Sequence, residues 1–390
     1  MDKNTLIKEF QQIFSIEASQ GVQTFFSPGR INLIGEHTDY NGGYVLPCAL
    51  TYGTYGAVKL REDRRVRVYS KNFPSKGIIE FSLDSLEYAA EDNWANYPKG
   101  MIRYIQECQG PLPAGFDLYV SGNLPNGAGL SSSASLEMLM GVILDEVFTL
   151  GLDRIELVKL GQRVENEFIG VNSGIMDQFA VGMGKVNCGM FLDCQTLEYE
   201  YAPLDLEGHE IIIINSNKRR ELADSKYNQR RSECEQALQL LQRELDIQSL
   251  GDLTEEEFEA NLSLIEDEVL IKRAKHAVFE NNRTKKALKS LKAGDLKTFG
   301  SLMDESHLSM REDYEITGIE MDTIVEAAWA QPGTVGARMT GGGFGGCAIA
   351  LVDADEVDGF IKEVGERYKQ KIGYEADFYV ASIGDGTKRI

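Results

Sequence analysis

The middle of the chain holds a helix that has no polar face. Residues 116–121 read as a strand, a turn rich in glycine and serine follows, and the next helix runs to about residue 150. Positions 136, 138–140 and 142–144 of this helix are all leucine, isoleucine, valine or methionine. A helix that is apolar on nearly every side must be covered on every side. We therefore expect it to lie at the centre of a domain.

The turn before this helix has the features of a phosphate-binding loop. Residues 127–135 read Gly-Ala-Gly-Leu-Ser-Ser-Ser-Ala-Ser. The glycines expose backbone N–H groups, and the helix start adds unpaired N–H donors and the positive end of its dipole. Ser131, Ser132 and Ser133 offer an N-cap and spare hydroxyls for a phosphate or Mg²⁺. The loop lacks the Gly-Lys-Ser/Thr ending of a Walker A motif, and an ordinary N-cap after a glycine turn is the alternative.

A second polar and glycine-rich stretch spans residues 27–43. It places Arg30, Asn32, Glu36, His37 and Asp39 among four glycines. Such a run cannot bury an amphipathic face, whereas its glycines allow sharp turns and a close approach to a ligand. Its fixed donors and acceptors suit the recognition of a small polyhydroxylated molecule. The alternative is a solvated loop.

Two acidic residues stand out as candidates for chemistry. Phosphoryl transfer to a hydroxyl needs a carboxylate near the acceptor, a cation to spread the developing charge, and Mg²⁺ on the phosphates. Asp177 lies among glycine, apolar and amide residues, unlike the solvated acids of residues 254–268. Glu165 comes late in a helix that we predict over residues 153–169. Taken alone, either acid could be a helix cap or a surface group.

A third glycine-rich segment lies near the end of the chain. Residues 340–346 read Thr-Gly-Gly-Gly-Phe-Gly-Gly and contain a formal G-x-G-x-x-G. A dinucleotide-binding fingerprint must follow a strand and open a helix, but here an apolar strand follows. The Rossmann interpretation is therefore excluded. Two interpretations remain. The segment is a packed glycine turn, or it forms a second wall of the phosphate and substrate site.

Composition limits the classes of function. A chain of 390 residues suits two domains, and a net charge of -21 argues against binding to nucleic acid. The six cysteines are scattered without a CxxC pair, so neither a zinc cluster nor a redox motif is indicated. The first residues lack a signal-peptide core, and no apolar run is long enough to cross a membrane. We expect a cytoplasmic protein with small-molecule substrates and neither nucleic-acid nor membrane partners.

The order of the remaining elements suggests a division of the chain. Strands are predicted over 44–60, 65–71, 78–83, 186–193, 197–202 and 210–215, and residues 225–330 read as mostly helical and charged. A strand over 346–352, a helix over 354–371 and a strand over 375–383 end the chain. The change of pattern predicts domains over residues 1–205 and 206–390.

Three of these segments together resemble a known family. Residues 29–41, Gly-Arg-Ile-Asn-Leu-Ile-Gly-Glu-His-Thr-Asp-Tyr-Asn, closely resemble the galactokinase signature. Residues 127–135 resemble the ATP loop of the galacto-, homoserine, mevalonate and phosphomevalonate (GHMP) kinases, and residues 340–347 resemble their third motif. The segments occur in family order and span nearly the whole chain. Residues 94–97 and 215–217, with Tyr227, also match galactokinase segments.

The resemblance implies a fold and a reaction. The fold would be the two-domain α+β GHMP-kinase fold, with a ribosomal-protein-S5-like N-terminal domain, a ferredoxin-like C-terminal domain and the active site in the cleft between them. The reaction would transfer the γ-phosphoryl group of ATP to the C1 hydroxyl of α-D-galactose, giving galactose 1-phosphate and ADP. This is the first phosphorylation step of galactose catabolism by the Leloir route.

The resemblance also implies roles for individual residues. Asp177 would be the catalytic base, and Arg30 the cation that keeps it ionised and stabilises the transition state. The sugar would be held by Glu36, His37, Thr38, Asp39, Gly174 and Tyr227. The phosphates would be wrapped by Gly127, Ala128, Gly129, Leu130, Ser131, Ser132 and Ser133. Mg²⁺ would be held by Ser133 and Glu165, and adenine would be bordered by Ser70, Trp94 and Tyr97. The cofactors would be ATP and Mg²⁺, and we expect a monomer, although no sequence feature fixes the oligomeric state.

Two other functions are weighed against this one. A kinase for L-arabinose or N-acetylgalactosamine would use a related sugar loop, but a bulkier acetamido group would need space made elsewhere. A non-catalytic sensor of galactose and ATP could lose the base, the Mg²⁺ ligands or part of the serine loop. Here Arg30, Asp177, Glu165 and the serines are all present, and no DNA-binding domain is appended.

Overall fold

A computed structural model describes residues 1–17, 19–125, 129–218 and 223–390 of the chain. The helices in this part are α1 (Lys3–Phe14), α2 (Asn96–Gln109), α3 (Ser132–Phe148), α4 (Arg154–Arg163), α5 (Met176–Met183), α6 (Ala223–Leu241), α7 (Glu255–Ala260), α8 (Glu268–Lys292), α9 (Leu296–Glu312), α10 (Gly318–Trp329) and α11 (Val357–Ile372). The strands are β1 (Gln23–Asn32), β2 (Tyr44–Val45), β3 (Pro47–Leu60), β4 (Arg65–Ser70), β5 (Ile79–Ser82), β6 (Phe116–Gly122), β7 (Cys188–Asp193), β8 (Tyr199–Pro203), β9 (His209–Asn215), β10 (Thr334–Thr340), β11 (Cys347–Asp353), β12 (Asp377–Ala381) and β13 (Lys388–Arg389). Mixed helices and sheets make this an α+β protein.

The N-terminal half is built on a twisted sheet with α3 against it. The strand order is β13-β1-β3-β6-β4-β5, and only the β4–β6 pair is parallel among the pairings described. Helix α3 packs on β1 and β3 and is flanked by α2, α4 and α5. Its residues 134–144 are all buried, which confirms the prediction of a central helix. Residues 129–131 thus lead directly into this buried helix.

The C-terminal half has a sheet of its own. Its four strands run antiparallel in the order β10-β11-β9-β12, and α9, α10 and α11 pack against it. Helices α8 and α6 pack in turn on α9 and α8. The predicted helical stretch of 225–330 therefore corresponds to α6 through α10. The third glycine-rich segment is the turn between β10 and β11.

One apolar cluster joins the two halves. Ile31, Leu33 and Leu46 from the N-terminal half share it with Ile213 and Leu288 from the C-terminal half, and all five are less than 8 % exposed. Burying apolar surface across this interface holds the two halves in a fixed relation. The glycine-rich segments of both halves can therefore form one site.

The boundary predicted at residue 205 falls in the turn between β8 and β9. The last strand, β13, returns to pair with β1 beside the N-terminal sheet. Among the residues described, no helix has the length and apolar character that crossing a membrane requires.

The polar stretch of residues 27–43 differs from the sequence-based expectation. Residues 27–32 are not part of a loop, because they form the second half of β1, with a bulge between Pro28 and Arg30. Residues 27–38 are all buried, which excludes a solvated loop. The polar side chains are tolerated inside because they have hydrogen-bond partners, and Ser27, Arg30 and Glu36 find theirs in other elements. The predicted helix over 153–169 also ends sooner, since residues 164–169 form a π-helical turn that carries Glu165.

Candidate active site

A cavity of about 270 Å³ lies where the three motifs meet. It is lined by residues of the polar stretch, of the serine turn (residues 129–133), of the start of α5 and of the glycine turn after β10 (residues 341–346). From the sequence-based candidates, the lining includes Arg30, Glu36, His37, Asp39, Gly129, Leu130, Ser131, Ser132, Ser133, Glu165, Gly174, Asp177 and Tyr227. Gly341, Gly342 and Gly343 form a further wall, which favours the second of the two interpretations of the third segment. Segments far apart in the sequence therefore share one pocket.

Arg30 and Asp177 form a two-point ion pair in this cavity. Arg30 Nε and Nη2 donate to Asp177 Oδ1 and Oδ2, each at 2.9 Å, and Arg30 Nη1 donates to the Gly129 carbonyl at 2.7 Å. The arginine side chain is 5 % exposed and the aspartate side chain 28 %. Fork-like pairing of a guanidinium with a carboxylate fixes both groups in orientation. Asp177 thus faces the cavity with its charge compensated on one side.

Ser131 contacts the same carboxylate. The sequence suggested that a serine would cap α3, but the hydroxyl of Ser131, at the N-cap position, makes no capping hydrogen bond. It donates instead to Asp177 Oδ2 at 2.6 Å, and the residue has a left-handed backbone with φ 61°. A left-handed conformation is costly for a residue other than glycine. Here it turns the hydroxyl from the helix end toward the cavity.

Glu36 is a buried carboxylate that lines the cavity and is 1 % exposed. Asn32 Nδ2 donates to its Oε2 at 3.0 Å, and the Gly341 N–H donates to its Oε1 at 2.7 Å. The Arg338 guanidinium lies 3.6 Å from the same Oε1. Burial raises the pKa of Glu36, while the charges of Arg338 and Arg30 oppose this rise. The polar stretch is thereby tied to the glycine turn of the other half.

Asp39 and Gly174 approach each other more closely than any larger side chain would allow. A Cβ placed on Gly174 would lie 1.8 Å from Asp39 Oδ2. Burial, together with the negative charge of Asp177, raises the pKa of Asp39 to about 6. A glycine at position 174 therefore leaves room for a carboxylate whose charge depends on pH near neutrality.

His37 and Tyr227 line the same side of the cavity, with ring centroids 5.1 Å apart. Burial lowers the pKa of His37 to about 3, so the ring is neutral. His37 Nδ1 lies 2.6 Å from the Tyr40 hydroxyl. Among the described residues, its buried Nε2 makes no hydrogen bond of ordinary geometry, although an interaction with the Gly342 backbone opposes the fall in the pKa of the ring. A buried polar atom left open beside a cavity is suited to bind a ligand.

One sugar candidate from the sequence does not line the cavity, and two candidates for the phosphates are not described. Thr38 is fully buried, and its hydroxyl donates to the carbonyl groups of Gly35 and Tyr44 at 2.9 and 2.7 Å. It shapes the loop and is not among the residues that line the cavity. Gly127 and Ala128 lie outside the described residues.

Ser133 and Glu165 stand side by side, as their predicted shared role requires. Ser133 Oγ donates to Glu165 Oε1 at 2.7 Å, and Ser173 Oγ donates to Oε2. Burial raises the pKa of Glu165, and these hydrogen bonds oppose the rise. In the described part of the chain, no group of three or more His, Cys, Asp or Glu is placed to hold a metal ion. One carboxylate and one hydroxyl fit Mg²⁺, which takes its remaining oxygens from phosphates and water.

A second cavity of about 400 Å³ adjoins the first. Ser70, Trp94 and Tyr97, the residues suggested for adenine, all line it. The two cavities share Leu124, Ser132 and Ser133. Trp94 is 6 % exposed, and its indole N–H has no hydrogen-bond partner among the described residues. An apolar pocket with an open donor suits a nucleobase, and it opens onto the serine turn.

One residue that the sequence did not indicate holds the site from the C-terminal half. Glu280 in α8 is fully buried, and Ser306 Oγ donates to its Oε1 at 2.6 Å. Burial alone would raise the pKa of Glu280, but the charges of Arg283 and Arg338 outweigh it and hold the pKa at about 2. No motif surrounds Glu280, because its partners come together only in the folded chain.

Comparisons with known proteins agree with this geometry. The galactokinase galactose-binding signature matches residues 8–60, and the N-terminal and C-terminal domains of GHMP kinases match residues 96–185 and 287–370. Galactokinase from Ligilactobacillus salivarius is 59 % identical over 100 % of both chains. The crystal structure of Lactococcus lactis galactokinase complexed with galactose is 54 % identical, covers 99 % of both chains and has a TM-score of 0.97. A mevalonate kinase structure at 18 % identity and a TM-score of 0.64 shares the fold. The chain belongs to the galactokinase family and has the two-domain GHMP-kinase fold.

Proposed function

We propose that this chain transfers the γ-phosphoryl group of ATP to the C1 hydroxyl of α-D-galactose, giving galactose 1-phosphate and ADP. The observation that carries the proposal is the pair of cavities joined at the serine turn. The Arg30–Asp177 pair lies in one of them. The other is bordered by Trp94 and offers a nucleobase pocket. A sugar hydroxyl beside Asp177 would therefore face a phosphate held at Ser132 and Ser133.

In this proposal Asp177 acts on the acceptor hydroxyl. Its carboxylate accepts the hydrogen of the C1 hydroxyl, either by orienting it or by taking its proton as the bond to phosphorus forms. Both courses use the same residues, because a loose transition state needs little help from a base. Arg30 holds the carboxylate in place by two hydrogen bonds and places positive charge beside the oxygens that carry the developing charge.

The sugar would be held by the buried polar groups around Asp177. Glu36 and Asp39 offer acceptors, and His37 offers its open ring nitrogen. Because Glu36 and His37 are buried, a sugar with a missing or inverted hydroxyl would leave one of them without a partner. That loss is the physical basis for discrimination between epimers. Tyr227 and Gly174 would complete the wall, and Thr38 would act by shaping the loop.

ATP would bind as its Mg²⁺ complex. Ser133 and Glu165 would hold the cation, which neutralises phosphate charge when bound. The backbone of residues 129–133, at the N-terminal end of α3, would contact the phosphates. Ser70, Trp94 and Tyr97 would enclose the adenine.

The proposal also includes a domain boundary, a cellular compartment and an oligomeric state. The domains would divide near residue 205, with the last residues returning to the N-terminal sheet. All six cysteines are free thiols, which suits the reducing cytoplasm. A monomer is proposed.

A substrate screen tests the proposal. Purified protein with Mg-ATP is offered galactose, talose, L-arabinose, glucose or N-acetylgalactosamine while ADP release is followed. We expect galactose to give the highest kcat/KM. Faster turnover of L-arabinose or N-acetylgalactosamine would assign another sugar, and binding of galactose and ATP without ADP release would point to a sensor.

A further inference from the structure

A chain of hydroxyl groups leads from the sugar cavity into the C-terminal half. The Tyr40 hydroxyl lies 2.6 Å from His37 Nδ1 and 2.8 Å from the Tyr314 hydroxyl. The Tyr314 hydroxyl lies 3.1 Å from Cys234 Sγ. Tyr314 is fully buried in the connection between α9 and α10, and Cys234 is fully buried in α6. These four groups, called the tyrosine relay here, can be ordered in only two ways.

The two orders differ in the direction of every hydrogen bond. In the first, the thiol donates to Tyr314, Tyr314 donates to Tyr40, and Tyr40 donates to His37 Nδ1. In the second, His37 Nδ1 carries the hydrogen and donates to Tyr40, Tyr40 donates to Tyr314, and Tyr314 donates to the sulfur of Cys234. Each hydroxyl has one hydrogen, so when both hydroxyl hydrogens stay within the relay the choice at one member sets all the others.

The first order makes better use of the groups present. It directs the phenol hydrogen of Tyr40 to an imidazole nitrogen, which is a stronger acceptor than a phenol oxygen. The thiol is a weak donor in the first order and a weak acceptor in the second, so sulfur does not decide between them. The contact of 2.6 Å between Tyr40 Oη and His37 Nδ1 lies in the short range that hydroxyl donors adopt, which agrees with Tyr40 as the donor.

We propose that Tyr40 and Tyr314 are positioning residues that fix His37 as the tautomer with hydrogen on Nε2, so that His37 donates to an acceptor oxygen of the sugar. His37 has a left-handed backbone with φ 59°, which holds the ring in this unusual place. Nε2 is the buried atom that makes no hydrogen bond of ordinary geometry among the described residues, and His37 lines the cavity. The low pKa of His37 supports the assignment, since a neutral ring has one hydrogen to place.

The inference deepens the proposed function, and its first test does not depend on it. The chain has four histidines, so selective ¹⁵N labelling gives a simple spectrum, in which His37→Gln identifies the His37 signals. In the ligand-free protein we expect His37 Nε2 to resonate as a protonated nitrogen and Nδ1 as an unprotonated one. The opposite pattern, or averaging between the two, overturns the assignment whatever the substrate.

Variants test the role of the relay. In Tyr40→Phe we expect the two nitrogen signals to move toward each other, and in Tyr314→Phe to move less in the same direction. The matched control is Tyr201→Phe, which removes a hydroxyl that donates to the Met183 carbonyl outside the relay. An unchanged tautomer in Tyr40→Phe would show that the relay does not set it.

The sugar test separates the two proposals. Galactose should shift the His37 Nε2 signal, and kcat/KM for galactose in Tyr40→Phe should fall by about threefold to tenfold, as expected for a weakened hydrogen bond. Its kcat and its KM for ATP should stay close to those of Tyr201→Phe. If galactose binds and leaves the Nε2 signal unmoved, the donation is wrong. If galactose does not bind, the proposed function fails while the tautomer result stands.

Discussion

Glu280 Oε1 accepts hydrogen bonds from the backbone N–H groups of Gly35 and Glu36 at 3.0 and 3.2 Å, although 245 and 244 residues separate them in sequence. The carboxylate therefore anchors the turn that presents Glu36 and His37 to the cavity. It does so from α8, in the other half of the protein. Arg338, itself fully buried, lies 3.7 Å from Glu280 Oε1 and 3.6 Å from Glu36 Oε1 and so links the two acids.

We expect Glu280→Gln to lower both stability and galactose affinity. Without the negative charge of Glu280, the buried cations Arg338 and Arg283 lose an ion-pair partner. Breaking a buried ion pair in this way typically lowers stability by about 3–5 kcal/mol. Chemical denaturation and galactose titration measure the two effects. Glu268→Gln, an exposed position in the first turn of the same helix, is the control and should leave galactose affinity unchanged and lower stability by at most about 1 kcal/mol, through the helix dipole. A Glu280→Gln variant as stable as this control, with equal affinity, would show that the anchor is dispensable.

Gly174→Ala should impair sugar binding because the new methyl group has no space. Its Cβ would lie 1.8 Å from Asp39 Oδ2, so the carboxylate or the backbone must move. We expect kcat/KM for galactose to fall by about tenfold or more, the cost of overpacking being about 1–3 kcal/mol. Gly359→Ala in α11 is the matched control, since its Cβ meets nothing within 4 Å. Equal kinetics in the two variants would contradict the close contact.

The raised pKa of Asp39 predicts an acidic limit to activity. As pH falls through about 6, Asp39 gains a proton and loses acceptor strength, so kcat/KM for galactose should decrease. Glu36 and Asp177 face the same cavity, and Asp39→Asn identifies the group because this variant should lose that limb of the profile. The effect on stability has the opposite sign. A pKa raised from 3.8 favours the folded state at low pH, and this contribution is lost as pH rises through about 6. An unaltered acidic limb in Asp39→Asn would assign it to another group.

Glu165→Gln should weaken the use of Mg²⁺. An amide replaces one of the few anionic oxygens near Ser133, so half-maximal activity should need about tenfold more Mg²⁺. Galactose binding measured without nucleotide should not change. Glu167→Gln, an exposed position two residues on, is the control. The same Mg²⁺ dependence in both variants would remove Glu165 from the metal site.

The sequence predicted the parts of the site that carry local motifs. A helix without a polar face had to be central, and glycines beside serines indicated a phosphate loop, so the place of Ser133 near the cavity was foreseeable. The three motifs were expected to meet, and they line one cavity. The family resemblance supplied the specific partners Arg30 and Asp177. Their two hydrogen bonds show that these partners are in contact.

The parts that the sequence missed depend on long-range contacts. Nothing in the local pattern around Glu280 or Tyr314 distinguishes them from other residues of charged helices and their connections. Residues 27–32 read as a loop because buried polar side chains break the alternation of a strand. They form part of β1 because Asn32 and its neighbours find partners from β10 and from Glu36. Satisfaction of buried polar groups is a property of the fold, so single-sequence patterns do not reveal it.

The proposed reaction requires Asp177 to act on a bound sugar. The most direct measurement compares turnover with galactose binding in Asp177→Ala, using a coupled assay for ADP and calorimetry for binding. We expect turnover to fall by about 10²–10⁴-fold, the usual contribution of a group that acts on the transferred proton, while galactose binding stays measurable. Arg30→Ala should lower kcat by more than it raises KM. Turnover at the wild-type rate in Asp177→Ala would contradict the account.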